Sequence, residues 1–150
     1  MTTAVFESES TLSADLGLSK LLGKQVTSSM QLVNFIERGF SFHTLERFHR
    51  ETGLPMERLA TAIGISPRTL SRRKKEKKLS SSESDRLVSI SRLFASTVEL
   101  FEGNKEKGYQ WFLNQNRALG NLSPLEMAAT ETGSREVENL IGRLEHGVFS

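Results

Sequence analysis

From Ser28 onward the apolar residues of this 150-residue chain recur at intervals of three and four, the period of a helix face. Met30, Val33, Phe35 and Ile36 form a first run, closed by Gly39. Leu45, Phe48 and Leu54 continue the pattern, with Thr44 as the expected N-cap and Gly53 as terminator. Leu59, Ala60 and Ile63 make a short stripe of their own. The longest pattern covers 80–102, where Leu87, Ile90, Phe94, Val98 and Phe101 are widened by Val88, Leu93 and Leu100, and Gly103 stops it. A helix apolar on two sides must pack against two things, so this one is expected to connect the halves of the molecule. No alternation of β-branched residues is long enough for a strand. The pattern predicts an all-α fold.

The punctuation divides the rest. Residues 1–26 are Ser/Thr-rich with scattered leucines and are read as a partly ordered arm. Residues 27–79 make the first helical region, 80–103 the connecting helix and 104–150 a C-terminal region. Tyr109, Trp111, Phe112 and Leu113 cluster there as core or a dimer seam. Residues 116–121 read as a loop containing Gly120. Ser123, Pro124 and Glu126 form a capping box with proline at the first helical position, opening a short helix that is expected to end near Thr130. Gly133 and Ser134 are expected to open the last helix, whose inward stripe is Val137, Leu140, Ile141 and Leu144.

Residues 59–72, LATAIGISPRTLSR, carry the most specific grammar. Gly64 follows the short stripe where a left-handed residue ends a helix. Ser66 offers an N-cap hydroxyl, Pro67 takes the first helical position, and Leu70 points back at the first helix. Two short helices crossing through such a turn are a helix-turn-helix. With Leu70 inward, Arg68, Ser71, Arg72 and Lys75 turn outward. Residues 68–78 hold seven Lys/Arg against one acid, seven minus one or +6, whereas the whole chain is +2 and the remainder therefore −4. A local block of this sign attracts a phosphate backbone. Ser66, Arg68, Thr69, Ser71, Arg72 and Lys75 are the candidate DNA-contacting residues, and a two-fold homodimer on an inverted repeat of operator DNA is the expected partner geometry.

Composition narrows the remaining chemistry. Cysteine is absent, which removes disulfides and thiolate ligands. The start has neither a basic n-region nor an apolar core, and no apolar run approaches the roughly 20 residues of a membrane span, so cytoplasm is the expected compartment, with no membrane partner. His43, His49 and His146 lie far apart and no carboxylate pair or activated hydroxyl emerges, so no catalytic residue, metal site or cofactor is expected. His49 reads as a boundary histidine, Asp85 as a charge near a helix start and Arg86 as an ion-pair partner.

The order of parts resembles the antitoxins of the Xre/MbcA/ParS group over roughly residues 27–150. The residues that carry the likeness are R-R-K at 72–74, E-S-D-R-L at 83–87, Trp111, Asn116, Leu119-Gly120, Ser123-Pro124-Leu125, Thr130-Glu131-x-Gly133, Val137 and Arg143-Leu144-Glu145-x-Gly147. Gln115 stands where such proteins often have proline and Asn121 where a second glycine is common, which implies a loop of different shape over 114–122. Arg73 replaces an aliphatic, which implies a short recognition helix that leaves the core early. The resemblance implies an Xre-type helix-turn-helix domain followed by a small helical toxin-binding domain. It further implies neutralisation of an NAD-consuming RES-domain toxin by direct binding, and repression of the protein's own operon. Carried over by position, the toxin-binding residues are Arg143, Glu145, His146, Gly147, Val148 and Phe149. A terminal Phe149 with no place in a helix stripe also asks for a partner surface. The competing reading is a plain dimeric helix-turn-helix repressor with no toxin partner, for which a ligand pocket, or a seam using the whole of 105–150, would speak.

Overall fold

The computed structural model describes residues 18–147, and every regular element among them is helical. Residues 18–22 are helical and bury Leu18, Leu21 and Leu22, and the Arg47 guanidinium donates to the Lys20 carbonyl at 3.2 Å. This part of the segment read as an arm is therefore packed into the core.

Helix α1 is Ser29–Arg38 and α2 is Phe42–Thr52. The Ser28 hydroxyl caps α1 by accepting from the Gln31 N–H at 3.1 Å. The apolar run expected on α1 splits: Leu32 is buried with Phe35 and Ile36 packed beside it, while Met30 and Val33 face outward at 69% and 44% exposure. The N-cap of α2 is Ser41 and not Thr44. Phe42 and Leu45 are both core residues, so the helix has to start before Thr44, which is itself buried with its hydroxyl 3.2 Å from that of Ser41. Gly53 ends α2 at φ 74°, and His49 sits at the boundary with Nδ1 2.6 Å from the Leu54 carbonyl oxygen.

Helices α3 (Met56–Ala62) and α4 (Pro67–Glu76) form the helix-turn-helix, and α5 (Ser81–Leu100) follows. Then come α6 (Lys105–Leu113), a 3-10 turn at Arg117–Leu119, α7 (Pro124–Met127) and α8 (Glu131–Glu145). α7 stops earlier than the expected Thr130, because Thr130 serves instead as the N-cap of α8, its hydroxyl accepting from the Gly133 N–H at 3.0 Å. Gly133 thus lies inside the first turn rather than at the opening. A Cβ there would run into the Met127 carbonyl oxygen, so glycine is what lets α7 and α8 meet so closely. In the preceding loop Asn116 and Leu122 pair across a single bridge, and Gly120 and Asn121 both take left-handed φ values, 64° and 66°. Asparagine is among the few residues that enter that region readily.

α5 is the spine. It packs against α1, α6 and α8, and both of its apolar faces are used: Leu87, Val88, Ile90, Leu93 and Phe94 are buried. Phe94 stands between Phe48 of α2 and Phe112 of α6 in edge-on contacts with ring centroids 6.3 and 5.6 Å apart. The buried apolar residues form one contiguous core running through both halves. No helix among the described residues is long and apolar enough to cross a membrane. A shared core predicts shared unfolding. Far-UV circular dichroism and Trp111 fluorescence should report one denaturation midpoint, and Phe94→Ala should lower the unfolding free energy read by both probes by about 3–5 kcal/mol. Separate midpoints for the two probes would show that the halves fold independently.

Candidate nucleic-acid interface and C-terminal face

The sequence at 59–70 folds locally as its grammar dictates. Leu59, Ala60 and Ile63 are buried, Gly64 turns the chain at φ 85°, and Ile65 is buried beneath the turn. The Ser66 hydroxyl accepts from the Thr69 N–H at 3.2 Å and donates to the Thr69 hydroxyl at 3.0 Å, with Pro67 in the first turn. α4 has no fully buried residue. Leu70 packs against the core, while Ser66, Arg68, Ser71, Arg72 and Lys75 are exposed and Thr69 is half-buried beside them. The structure therefore brings the six candidate DNA-contacting residues onto one short helix and its cap.

One member of the basic run behaves differently. Arg73 lies three residues after Leu70 and shares its inward face. It does not end the helix early; α4 continues to Glu76 because the guanidinium finds a partner in the position an aliphatic would fill. Arg73 Nε and Nη2 donate to the two carboxylate oxygens of Glu83 at 2.8 and 2.9 Å, and Nη1 reaches Glu76 at 3.2 Å. Glu83 is buried, and it also accepts from the Ser80 N–H at 2.9 Å as half of the capping box of α5. The fork-to-fork geometry is the strong form of this pair. Arg73 thus faces inward, and it ties the exit of α4 to the start of α5. Among the described residues Arg86 makes no ion pair; it donates to the Ser89 hydroxyl at 3.1 Å. Of the outward cations, Arg72 approaches Glu76 at 3.8 Å, and among the described residues no ion pair engages Arg68, Lys74, Lys75, Lys77 or Lys78.

The backbone reinforces this exit. The Leu79 N–H donates to the Phe40 carbonyl at 2.9 Å, the Phe42 N–H to the Lys77 carbonyl at 3.1 Å, and the Phe40 N–H to the Ser84 hydroxyl at 2.9 Å. Gly39, at φ 82°, leaves room for the Leu79 carbonyl, which a Cβ would strike. A side chain that sequence reasoning passed over joins the helix-turn-helix to the C-terminal half. Arg58 of α3 donates to the Leu113 carbonyl at 3.2 Å and the Ser123 hydroxyl at 3.1 Å, and lies 3.6 Å from Glu126. Its partners are 55 and 65 residues away in sequence, so no local spacing could have flagged it. Beside it an open groove of about 590 Å³ runs between α3 and the 122–129 segment.

At the other end of the chain, Val137, Leu140 and Ile141 of α8 are buried and Leu144 packs beside them. The opposite side presents Arg143, Glu145 and His146, all exposed, and Gly147 closes the described chain at φ 66°. Arg143 and His146 share one shallow depression, and Glu145 lines an adjoining one, with Glu138 and Gly142 bordering both. Val148 and Phe149 lie outside the described residues. Among the described residues no group of three or more His, Asp or Glu side chains is arranged to hold a metal.

Residues 31–92 match the family described as the antitoxin Xre-like helix-turn-helix domain. Residues 96–147 match the antitoxin Xre/MbcA/ParS C-terminal toxin-binding domain. The chain belongs to the Xre-type antitoxins. A protein named antitoxin Xre from Yersinia enterocolitica is 37% identical over 130 residues, covering 86% of this chain and 88% of that protein. A second antitoxin Xre, from Photorhabdus laumondii, is 43% identical over 88 residues, covering 58% of this chain and 60% of its own length. The antitoxin thus has a helix-turn-helix domain and a toxin-binding domain, and its family is not an enzyme family. The match over 96–147 removes the plain repressor without a toxin partner. The two matched regions meet inside α5, on either side of Phe94.

Burial pushes the Glu83 carboxyl up, but hydrogen bonds from Arg73 and from the Ser80 N–H, with the guanidinium charge, outweigh it and hold the group below its usual value of 4.5. A depressed folded value means that the native state binds fewer protons than the unfolded chain, so stability falls as pH falls. The contribution is complete above about pH 4.5 and is lost as pH drops through the folded value. Glu83→Gln should flatten this acid limb in denaturation curves recorded between about pH 5 and pH 3. Arg73→Ala should cost about 2–3 kcal/mol at pH 7, because it leaves a buried carboxylate without its partner. An unchanged acid limb in the Glu83→Gln protein would contradict the assignment.

Proposed function

We propose that this antitoxin neutralises an NAD-consuming RES-domain toxin by presenting its C-terminal end, Arg143 to Phe149, at the toxin's active site. We further propose that it represses its own operon as a homodimer bound through α4 to an inverted repeat, in the cytoplasm where that DNA resides. The observation that carries the first reading is the amphipathic build of α8. One face is fixed in the core, and the other carries exposed Arg143, Glu145 and His146 up to the left-handed Gly147. A helix end held rigidly by its core face is a pre-ordered ligand for a cleft, and charged groups of both signs can occupy the polar contacts that a dinucleotide would make. The second reading rests on the exposed cations of α4 and its exit, and on the two-fold match between dimers and palindromic operators.

Deleting residues 146–150 should leave folding and DNA binding intact and abolish protection of cells that co-express the toxin. Phe149→Ala alone should weaken toxin binding by about 2 kcal/mol, and Arg143→Ala should loosen inhibition while changing stability by less than about 0.5 kcal/mol. Full protection by the truncated protein would move the toxin-binding surface elsewhere, most simply to the aromatic face around Trp111.

On DNA, Arg68→Ala and Arg72→Ala should each cost about 1–3 kcal/mol on the operator and little on unrelated sequence. Lys75→Ala, Lys77→Ala and Lys78→Ala should weaken binding to every sequence and reduce the salt slope by about one unit for each phosphate the lysine neutralises. Footprinting upstream of the gene should show two protected half-sites. Uniform behaviour of all five variants would reduce α4 to an electrostatic anchor, and one undivided half-site would exclude the dimer.

A further inference from the structure

Gly142 is a glycine that the antitoxin's own fold does not require. It lies inside α8, where glycine weakens a helix relative to alanine. Other glycines of the C-terminal half have visible reasons. Gly133 makes room for the Met127 carbonyl, Gly108 lies where a Cβ would be 3.1 Å from Val98 Cγ2, and Gly147 ends the helix at φ 66°. Capping therefore does not call for Gly142, whose carbonyl simply accepts from the His146 N–H at 3.1 Å. A Cβ built on Gly142 meets nothing within 4 Å.

The surroundings of this open position are shaped. Two shallow depressions of about 390 and 270 Å³ lie on either side, and Gly142 and Glu138 line both. Asn139, Arg143 and His146 complete the first. Arg92 and Ser96 of α5, with Glu145, give the second its polar edge. Gly142 is the saddle between them, a strip of bare helix backbone flanked by polar side chains of both charges.

We infer that Gly142 is a point of close backbone approach for the toxin, so that the toxin-binding surface extends from the helix end back across α8 to Arg92 and Ser96. The occupant is the toxin because Gly142 lies within residues matched to a toxin-binding domain and is continuous with Arg143, Glu145 and His146. The inference rests on the reading of that helix end as toxin-binding. A missing side chain in an otherwise unhindered helix serves a partner that comes within van der Waals distance of the backbone, and an added methyl or isobutyl group would hold that partner off.

The test compares Gly142→Ala and Gly142→Leu in the full chain, measuring thermal midpoint, operator binding and affinity for the purified cognate toxin, with the 146–150 deletion in parallel. Both substitutions restore helix propensity, so the midpoint should rise by about 1–3 °C and operator binding should not change. Toxin affinity should fall by roughly fivefold for alanine and 100-fold for leucine. Opposite movement of stability and affinity is a signature that a merely structural glycine does not give. Unchanged toxin affinity in both variants overturns the inference, whether or not the tail deletion abolishes binding; the deletion then decides separately whether the tail reading survives. Loss of affinity in Gly142→Leu with an inert tail deletion supports the inference and discards the tail.

Discussion

Phe94 of α5, held edge-on between Phe48 of the DNA-binding half and Phe112 of the toxin-binding half, is the contact on which the arrangement of this antitoxin depends. The matched domains meet within the same helix, so the boundary between two functions runs through a continuous core and not through a linker. A helix apolar on two sides has no stable solution until both are covered, and here α1 and Phe48 of α2 lie against one part of it and α6 and α8 against another. Arg58 adds a polar tie across the same junction, donating from α3 to the Leu113 carbonyl and the Ser123 hydroxyl. Geometry imposed at one end is therefore carried to the other by packed side chains and not by a flexible connection.

The recognition helix is tied to this spine where it ends. α4 buries no residue fully, so its own packing holds it only weakly. Its direction is set where it leaves, by Arg73 on Glu83 and by the backbone pairing of 40–42 with 77–79. Replacing an aliphatic side chain by a charge pair makes that anchor directional, because a guanidinium fork fits a carboxylate in few orientations. The outward cations then project from a helix whose exit angle is fixed.

Much of this was legible in the sequence because its signals are local. Gly64, Ser66 and Pro67 specify a turn within four residues, and Ser80 with Glu83 and Ser123 with Glu126 specify helix starts by a spacing of three. The stripes on α5 and α8 named most of the residues buried there. The failures share a cause, which is partners that are distant or compete. Arg73 stood where an aliphatic was expected, and its tie to the start of α5 was hidden because Glu83 is ten residues away across a turn, outside any helical spacing. Thr44 and Gly133 looked like helix openings, but Ser41 and Thr130 stand three residues earlier as the N-caps, and burial of Phe42 and the approach of Met127 decide between them. Met30 and Val33 matched a helical stripe yet face outward, since periodicity alone does not say which apolar residues the neighbours cover.

The recognition helix and the proposed toxin-binding surface on α8 lie toward opposite ends of α5. Glu83 anchors the recognition helix near its start, and Ser96 borders the α8 depression thirteen residues later, about 20 Å along the axis. Faces so separated on one rigid body should be usable at once. The direct measurement is a titration of operator DNA into a preformed antitoxin–toxin complex, followed by analytical ultracentrifugation with both partners labelled. A single species carrying DNA, antitoxin and toxin is the predicted result. Release of the toxin as DNA binds, or of DNA as toxin binds, would contradict an antitoxin built as one body with two separate faces.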